Sequence, residues 1–400
     1  MGYPKIRVNE GAASLLVPEL DESTAGHIDR ARSLAPVFYN PKMRLNRDSA
    51  VLALGVHQGR LGRGVSACEP MCGTGIRGVR LALEVEGVEE IVLGDLSPMA
   101  VQLATENVSL NGVSDRVAVR HMEANLLLSL HAKPLSRFDY VDIDPYGTPA
   151  PYLDTAVRAC KRGGLIGLTA TDMAPLCGVN PRACLRKYGG RSMRTEYCHE
   201  LAIRLVAGAL AVTAARHEVA SAPFFSYAAD HYVRVYAHLE RGKKKADGSL
   251  RKMGYVLHCF SCGHRRTIPL FAMTEIGCDV CGSEMKAAGP MWVGELAEAS
   301  FCDDMLSLSE RSFAGSNRRL TSIIARVKDE VGLPVGFFNV DRACSEVGIA
   351  SVDLAEALNA LRVKGFRATE SHIDNRGIKT DASASDVAAA FRDLKEREGA

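Results

Sequence analysis

Residues 65–78 read Val-Ser-Ala-Cys-Glu-Pro-Met-Cys-Gly-Thr-Gly-Ile-Arg-Gly, an apolar strand joined by a glycine-rich loop to the first turn of a helix. Gly73 and Gly75 lack a Cβ atom, so the backbone of this loop can approach a ligand closely. NAD, FAD and S-adenosylmethionine sites all use such loops, and a purely structural turn is also compatible with the pattern. The loop therefore predicts the start of an α/β fold before it specifies a ligand.

The alternation of strand and helix continues over residues 64–172. The sequence predicts strands at Val65–Glu69, Glu90–Asp95, Val117–His121, Tyr140–Asp144 and Leu165–Ala170, separated by helices at Ile76–Glu84, Pro98–Leu110 and Tyr152–Cys160. A long apolar helix at Thr195–Arg216 precedes two strands within Val219–Leu239. This order predicts a doubly wound, Rossmann-like parallel sheet.

Acidic residues follow the first three predicted strands and favour S-adenosylmethionine as the ligand. Glu69 lies four residues before the first glycine, where it can orient the amino-acid end of that cofactor. Asp95 can accept hydrogen bonds from ribose hydroxyls, although NAD sites use an acid at the same place. At the end of the third strand, the side chain of Glu123 and the backbone at Ala124 are placed to meet an adenine amine.

The fourth strand ends in Asp142-Ile-Asp-Pro-Tyr-Gly147, a pattern suited to holding a flat nitrogenous base. Asp144 can accept from an exocyclic amine and then take its proton, the carbonyl of Pro145 can accept a second hydrogen bond, and Tyr146 can stack on the ring. We expect Asp142 to face the other side of the strand. A helix cap or a simple turn is the alternative interpretation of Asp144.

These features predict methyl transfer to an amino nitrogen of a nucleobase. Carbon methylation of pyrimidines needs a thiolate nucleophile. No cysteine occurs at 138–150, and Cys72 lies inside the cofactor loop. Phe38 and Tyr39 precede the first sheet strand and would supply an opposing wall for the base, although such an aromatic pair more often belongs to a core.

Two Cys-x-x-Cys pairs separated by fifteen residues predict a closed, structural zinc site. Four thiolates at this spacing leave no open coordination position; the ligands are Cys259, Cys262, Cys278 and Cys281. The scattered cysteines are interpreted as buried small hydrophobic residues: Cys68, Cys160, Cys177, Cys184, Cys198, Cys302 and Cys344. This usage fits a reducing cytosol, so a cytoplasmic location is expected.

Composition is that of a globular protein, with 47% hydrophobic and 24% charged residues and a net charge of +2. The charge is uneven, since residues 151–300 carry 20 Lys and Arg against 13 Asp and Glu. That excess favours a polyanionic partner, or is a solvated basic face. No membrane span is expected, because Arg204 interrupts the most apolar stretch, Leu201–Ala215. The charged, turn-rich stretch at residues 241–248 predicts a domain boundary.

Taken together, the motifs resemble those of the archaeal tRNA (guanine(26)-N2)-dimethyltransferases. The resemblance covers nearly the whole chain and rests on the zinc cysteines and four further motifs: Phe38-Tyr-Asn-Pro-Lys-Met-x-x-Asn-Arg-Asp48, Gly73-Thr-Gly-Ile-Arg-Gly78, Asp144-Pro-Tyr-Gly-Thr-Pro149, and Ser371-His372 with Gly377-Ile-Lys-Thr-Asp381. It implies a class I methyltransferase domain at 1–240, including an N-terminal substrate segment. A smaller α+β domain that contains zinc and binds tRNA would follow at 241–400.

The resemblance also implies residue roles. Asp144 would be the catalytic acid/base, Phe38 and Tyr146 would sandwich the guanine, and the cofactor would be held by Arg47, Arg77, Asp95, Glu123 and Ala124. The sequence departs from the family pattern at Glu123, where Asp is expected, and at Tyr146, where Phe is common. The implied activity is S-adenosylmethionine-dependent dimethylation of N2 of guanosine 26 in tRNA.

Three other functions are compatible with parts of the pattern. The first is an enzyme that stops at one methyl group or acts on a different tRNA guanosine. A non-catalytic zinc protein that binds RNA would leave the glycine loop and Asp144 without a role. A nicotinamide enzyme would use the same glycine loop.

Overall fold

The computed structural model describes residues 3–20, 34–272 and 276–398. Near the amino terminus, β1 (Lys5–Glu10) and β2 (Ala13–Pro18) form an antiparallel hairpin. Alternate residues of β2 are buried, namely Ala13, Leu15 and Val17, because side chains on a strand alternate between its two faces.

A seven-stranded sheet forms the centre of the described chain. Its strands are β3 (Val65–Glu69), β4 (Val88–Asp95), β5 (Val117–His121), β6 (Phe138–Ile143), β7 (Cys160–Ala170), β8 (Val219–Ala229) and β9 (Tyr232–Arg241). Their order is β5-β4-β3-β6-β7-β9-β8. The strands from β3 to β7 are parallel, whereas β9 is antiparallel to β7 and β8. The prediction of a doubly wound parallel sheet is confirmed, with an antiparallel hairpin at one edge.

The strand order reverses between β3 and β6. The chain proceeds from β3 outward to β4 and β5, then returns to β6 on the other side of β3. In open α/β sheets, ligands bind beyond the carboxyl ends of the strands at such a switch point. The glycine loop follows β3 and Asp144 follows β6, so the topology brings these two motifs to one place.

Helices cover both faces of the sheet. Among the described residues up to Leu250 they are α1 (Arg44–Leu61), α2 (Ile76–Glu84), α3 (Pro98–Leu110), α4 (Ala124–Leu130), α5 (Leu153–Ala159), α6 (Met173–Leu176), α7 (Pro181–Tyr188), α8 (Cys198–Ala215) and α9 (Lys243–Leu250). One hydrophobic core lies between the sheet and α5 and α8, and a second lies on the face covered by α1, α2 and α3. α8 is long and apolar enough to cross a membrane by length and composition, but 72% of it is buried inside the protein.

Two small sheets follow. β10 (Met253–His258) lies between β11 (Arg265–Pro269) and β12 (Lys286–Trp292), and β15 (Gly377–Thr380) lies between β13 (Phe338–Asn339) and β14 (Ala368–Glu370). The accompanying helices are α10 (Ala299–Ser309), α11 (Arg318–Asp329), α12 (Val340–Val347), α13 (Leu354–Val363) and α14 (Ala384–Glu398).

The residues after Arg241 contribute to different hydrophobic cores. Trp292 of β12 belongs to the core beside α8, and Phe301 of α10 belongs to the core beside α1. A separate core is formed by apolar residues between Val340 and Leu394. The charged stretch at residues 241–248, where the sequence predicts a domain boundary, lies largely within the helix α9. Gly242 precedes this helix, and its residues Ala246 and Leu250 can pack inward.

Candidate active site

The glycine loop leaves β3 in a conformation that requires glycine. Gly73 and Gly75 have φ angles of 54° and 75°, in the left-handed region that favours a residue without a Cβ atom. A Cβ on Gly73 would lie 3.3 Å from the carbonyl oxygen of Phe38, and one on Gly75 would lie 3.0 Å from the Cβ of Ala104. The loop is therefore enclosed between the Phe38 segment and α3.

Asp95 ties the end of β4 to this loop. Its Oδ2 accepts from the backbone N–H of Gly73 at 2.9 Å, and its Oδ1 accepts from that of Ser97, also at 2.9 Å. Glu123 lies exposed at the start of α4, where its carboxylate accepts from the amides of Asn125 and Leu126 at 2.9 Å each. Both predicted ribose and adenine contacts thus lie at the carboxyl edge of the sheet, and Glu123 is also a helix cap.

Arg77, from the first turn of α2, is the centre of a buried acidic cluster. Its Nε donates to Glu69 Oε1 at 2.9 Å and its Nη1 donates to Asn46 Oδ1 at 2.9 Å. Its Nη2 contacts the carboxylate of Asp144, and Asp142 Oδ2 lies 3.5 Å from Nη1. One guanidinium therefore holds three carboxylates together below the glycine loop.

Asp142 and Asp144 face the same side of the sheet, which corrects the expectation that they face opposite sides. Residues two apart on a strand share a face, and both carboxylates reach Arg77. They differ in what else surrounds them. Asp142 is buried and accepts from Arg234 Nη2 at 2.5 Å and from the hydroxyl of Tyr140, whereas the side chain of Asp144 is 19% exposed.

Burial acts on the acids of this cluster in different ways. It raises the pKa of Glu69 to about 8, because the attraction of Arg77 does not offset the loss of water and the repulsion from Asp142. The Oε2 atom of Glu69 has no hydrogen-bond partner among the described residues. Burial also disfavours the charge on Asp142, but the nearby Arg234 and Arg77 outweigh it and lower its pKa. The cluster therefore combines an acid that stays ionised, Asp142, with an acid that holds a proton readily, Glu69.

The two aromatic side chains assigned to the base lie against each other. The ring centroids of Phe38 and Tyr146 are 4.7 Å apart with an angle of 64° between the planes, an edge-to-face contact. Tyr146 is 71% exposed, while the neighbouring Pro145 is buried. Gly147 fixes the turn through hydrogen bonds with Thr171, whose hydroxyl accepts from it at 2.8 Å. The N-terminal segment and the turn after β6 thus meet at one edge of the site.

Arg47 is buried and paired with an acid that the sequence analysis did not single out. Its Nε and Nη2 donate to the two carboxylate oxygens of Glu10 at 2.7 and 2.6 Å. Arg80 donates to the same Glu10 at 2.9 Å, and lies 2.7 Å from Asp48. A cofactor contact by Arg47 stays a prediction, as do the cofactor contacts of Glu123 and of the buried Ala124.

The four cysteines of the paired motif lie together at one end of the β10–β12 sheet. Their Sγ atoms all lie within 4.8 Å of one another, with 3.5 Å between Cys259 and Cys281 and between Cys262 and Cys278. Each pair is followed by a glycine in the left-handed conformation, Gly263 and Gly282. The two halves of the cluster therefore have the same local geometry.

Sequence reasoning missed the cations and acids that come from distant parts of the chain. Arg234, on β9, bonds to Asp142 on β6, and Glu10, on β1, bonds to Arg47 on α1. No local pattern marks these residues. Residues 46–49, at the start of α1, are a run of four polar residues. Only the structure shows that all four are buried, which is unusual for polar side chains.

The doubly wound sheet, the glycine loop with Asp95, and an acid beside two aromatic rings together define a Rossmann-like methyltransferase. The family model described as N2,N2-dimethylguanosine tRNA methyltransferase matches residues 11–392. The chain belongs to this family, which confirms both the resemblance and the assignment as an enzyme.

Similar proteins extend over nearly the full chain. It is 38% identical over 382 residues to tRNA (guanine(26)-N(2))-dimethyltransferase of Methanothermobacter thermautotrophicus, covering 96% of this chain and 97% of the relative. It is 34% identical to tRNA (guanine(26)-N(2)/guanine(27)-N(2))-dimethyltransferase of Aquifex aeolicus, covering 97% and 96%. A structure of Trm1 from Pyrococcus horikoshii with S-adenosyl-L-methionine superposes with a TM-score of 0.84 at 32% identity, covering 96% of this chain and 99% of the other.

Proposed function

We propose that this enzyme adds two methyl groups, taken from S-adenosylmethionine, to N2 of guanosine 26 in tRNA, in the cytoplasm. One observation carries the proposal most directly: the partly exposed carboxylate of Asp144 follows β6 at the switch point of the sheet and contacts Arg77 in the helix that follows the glycine loop, two residues before Tyr146, which contacts Phe38. The full-length similarity to relatives named for this activity supports the same conclusion.

The residues around the glycine loop fit the proposed cofactor. Gly73 and Gly75 give the loop its left-handed turn at the end of β3, Asp95 is placed for the ribose and Glu123 with Ala124 for the adenine. When bound, S-adenosylmethionine supplies an already activated methyl group. Oε2 of Glu69 is buried and without a partner among the described residues, and it can accept from the cofactor's amino group once Glu69 has released its proton.

The chain itself then has to position the amine and remove a proton. Asp144 accepts an N–H hydrogen bond from the exocyclic amine and takes the proton as positive charge develops on nitrogen, while Arg77 holds the carboxylate in place. Because Phe38 and Tyr146 are in contact, a guanine between them requires the rings to move apart to about 7 Å, two ring contacts of ~3.5 Å. One N–H remains after the first transfer, so Asp144 can repeat the step once it has passed the first proton to solvent.

We further propose that the four clustered cysteines bind a structural zinc ion. A tetrahedral ion with metal–sulfur distances of about 2.3 Å separates its sulfur atoms by about 3.8 Å. The Cys259–Cys281 and Cys262–Cys278 sulfur separations of 3.5 Å are close to that value. Residues 241–400 would form the zinc-containing part that binds tRNA, and residues 1–240 the methyltransferase part.

Basic side chains on this second part would contact tRNA phosphates. Lys243, Lys244 and Lys245 are exposed on α9. Lys243 lies 3.3 Å from Glu218 and Lys245 lies 2.5 Å from Glu240. Exposed ion pairs of this kind are weak, so a phosphate can compete for the lysines. The contribution is electrostatic and does not itself select guanosine 26.

The catalytic assignment is tested by Asp144→Asn, which keeps the size of the side chain and removes its negative charge. We expect methyl transfer to an unmodified tRNA transcript to fall about 100-fold or more, because the proton acceptor is lost. Cofactor affinity and tRNA affinity should stay within a few-fold of the parent. Asp115→Asn, at an exposed position before β5, is the matched control and should retain activity. A fully active Asp144→Asn enzyme contradicts the assigned role.

The position and number of methyl groups are tested on the RNA. Nucleoside analysis of the parent reaction should show N2,N2-dimethylguanosine, and a transcript with adenosine at position 26 should remain unmodified. Monomethylguanosine as the only product contradicts dimethylation. Because one relative is named for guanine 27 as well, a transcript altered at position 27 tests a second site.

A further inference from the structure

Two of the cysteines outside the zinc cluster do not behave as buried hydrophobic residues. The sequence interpretation is confirmed for the buried side chains Cys68, Cys160, Cys184, Cys302 and Cys344. It is wrong for Cys177 and Cys198, which are only half-buried. Partial exposure gives both thiols access to small reagents.

These two cysteines come together where two helices meet. Cys177 directly follows α6, and Cys198 is the first residue of α8. Their Sγ atoms and the Nδ1 atom of His199 all lie within 4.8 Å of one another, and Cys198 Sγ lies 3.8 Å from His199 Nδ1. A thiol, a second thiol and an imidazole are thus brought together although they are 21 residues apart in the chain.

The surroundings favour a thiolate on Cys198. The neighbouring thiol of Cys177, together with His199, outweighs the effect of burial and lowers the pKa of Cys198 to about 5. The same proximity raises the pKa of Cys177. Cys198 also begins an 18-residue helix, whose amino end stabilises negative charge. A thiolate is the reactive form of cysteine, and a low pKa at an accessible site marks reactive cysteines.

We propose that Cys177 and Cys198 form a redox-active dithiol that a hydroperoxide oxidises to a disulfide. The Cys198 thiolate attacks the peroxide and takes one oxygen, which gives a sulfenic acid, and the alkoxide or hydroxide that leaves is protonated by solvent. The sulfur of Cys177 then bonds to the sulfur of Cys198, and the sulfenic oxygen leaves as water with the Cys177 proton. In balance, two thiols and one hydroperoxide give one disulfide, one alcohol (water, for hydrogen peroxide) and one water.

A metal site is the competing interpretation, and the geometry favours it less. Three protein donors are present among the described residues, one fewer than the four that close a structural zinc site. A neighbouring thiol that can donate to a thiolate is the arrangement expected of an attacking and a resolving cysteine.

The test uses the full-length, zinc-loaded protein and peptide mapping. After treatment with one equivalent of hydrogen peroxide, we expect a disulfide between the Cys177 and Cys198 peptides that dithiothreitol reverses. At pH 7, iodoacetamide should alkylate Cys198 at least 10-fold faster than Cys184 or Cys302 in the same digest, which serve as internal controls. In Cys177→Ser, oxidation of Cys198 should proceed to sulfinic acid because the resolving thiol is missing. In Cys198→Ser, Cys177 should remain reduced.

Three outcomes overturn the proposal. One is a parent protein in which Cys198 becomes sulfinic acid without a disulfide. Another is alkylation of Cys198 as slow as that of Cys184. The third is a second equivalent of metal in the parent that Cys198→Ser loses, which would assign the cluster to a metal ion. Because none of these measurements uses methyl transfer, they are independent of the proposed enzymatic function.

Discussion

At the scale of single residues, the two acids after β6 are separated in role by their surroundings. Asp142 is enclosed by Arg234, Arg77 and the hydroxyl of Tyr140. A carboxylate held by this many donors is poorly suited to exchange a proton. Asp144 has one guanidinium partner, and its side chain is partly exposed. The partly exposed acid is therefore the one that can accept a proton from a bound amine.

Glu69 should make the stability of the cofactor-free protein depend on pH. Its pKa is raised from the ordinary value of 4.5 to about 8, so the folded state keeps a proton that the unfolded chain releases. The free energy of unfolding therefore falls as pH rises through this window. In Glu69→Gln that contribution is absent. The unfolding free energy of the variant, measured relative to that of the parent, should therefore rise by roughly 2–4 kcal/mol from pH 4.5 to pH 8.

Urea unfolding of both proteins across that range measures the difference. Comparing the two proteins at each pH removes the titration of all groups that they share. If the parent and Glu69→Gln change in parallel, the carboxyl of Glu69 is ionised in the folded state, and the argument for its raised pKa is wrong.

At the scale of elements, a glycine on β7 allows two non-adjacent strands to be joined by an ion pair. β7 lies between β6 and β9, and Gly167 is paired with Asp142 on one side and with Tyr236 on the other. A Cβ on Gly167 would lie 2.5 Å from Nη2 of Arg234. The guanidinium therefore crosses over β7 to reach Asp142 in space that only glycine leaves.

Gly167→Ala should displace Arg234 and weaken that ion pair. We expect a loss of about 1–3 kcal/mol in unfolding free energy, the usual cost of an extra methyl group in a packed core. Methyl transfer should also decrease, because Asp142 and Asp144 share Arg77. Gly59→Ala, in α1, is the matched control, since its Cβ would meet nothing within 4 Å and alanine favours a helix. Equal stability of the two variants would show that Arg234 can accommodate a methyl group at position 167.

The cysteine cluster is the second element whose stability can be tested directly. The sheet of β10 to β12 has a small core around Leu257, Cys259, Cys278 and Met285. A core of this size needs the cross-link that a metal provides. The purified parent should contain one zinc per chain, and Cys262→Ser should lose it and become susceptible to proteases between residues 259 and 286. Full zinc retention by Cys262→Ser would contradict the four-thiolate site.

At the scale of the whole molecule, what could be predicted was local in sequence. The glycine loop, the turn at Asp144 and the cysteine pairs are each contained within a few residues, so the sequence could single them out as candidate sites. The ends of β3, β5, α2 and α3 were also correct, because strand and helix periodicities are local. The contacts of Arg234 with Asp142 and of Glu10 with Arg47 join segments that are distant in the chain, so the periodicity of the sequence does not predict them.

At the same scale, one such distant contact joins the C-terminal residues to α8, which packs on the central sheet. Lys379, on β15, is buried and lies 2.7 Å from Oε2 of Glu200 on α8, whose other oxygen accepts from Arg204. Burial disfavours the charge on Glu200, but Lys379 and Arg204 outweigh it and lower the pKa to about 2. Removing Lys379 leaves Glu200 with Arg204 as its remaining cationic partner, so the cost should stay below the roughly 3–5 kcal/mol of an uncompensated buried charge.

Lys379→Met should therefore loosen the C-terminal core, seen as faster amide hydrogen exchange in residues 340–394. Lys364→Met is the matched control in the same core, because Lys364 is partly exposed, pairs with Asp393 at 2.6 Å and should cost less than about 1 kcal/mol. The depressed pKa of Glu200 fixes the sign of the pH dependence. The ion pair stabilises the fold above the ordinary value of 4.5 and is lost as pH falls toward 2, so the two variants should converge in stability in acid. Exchange that is equally fast in both variants at neutral pH would show that this contact does not hold the two parts together.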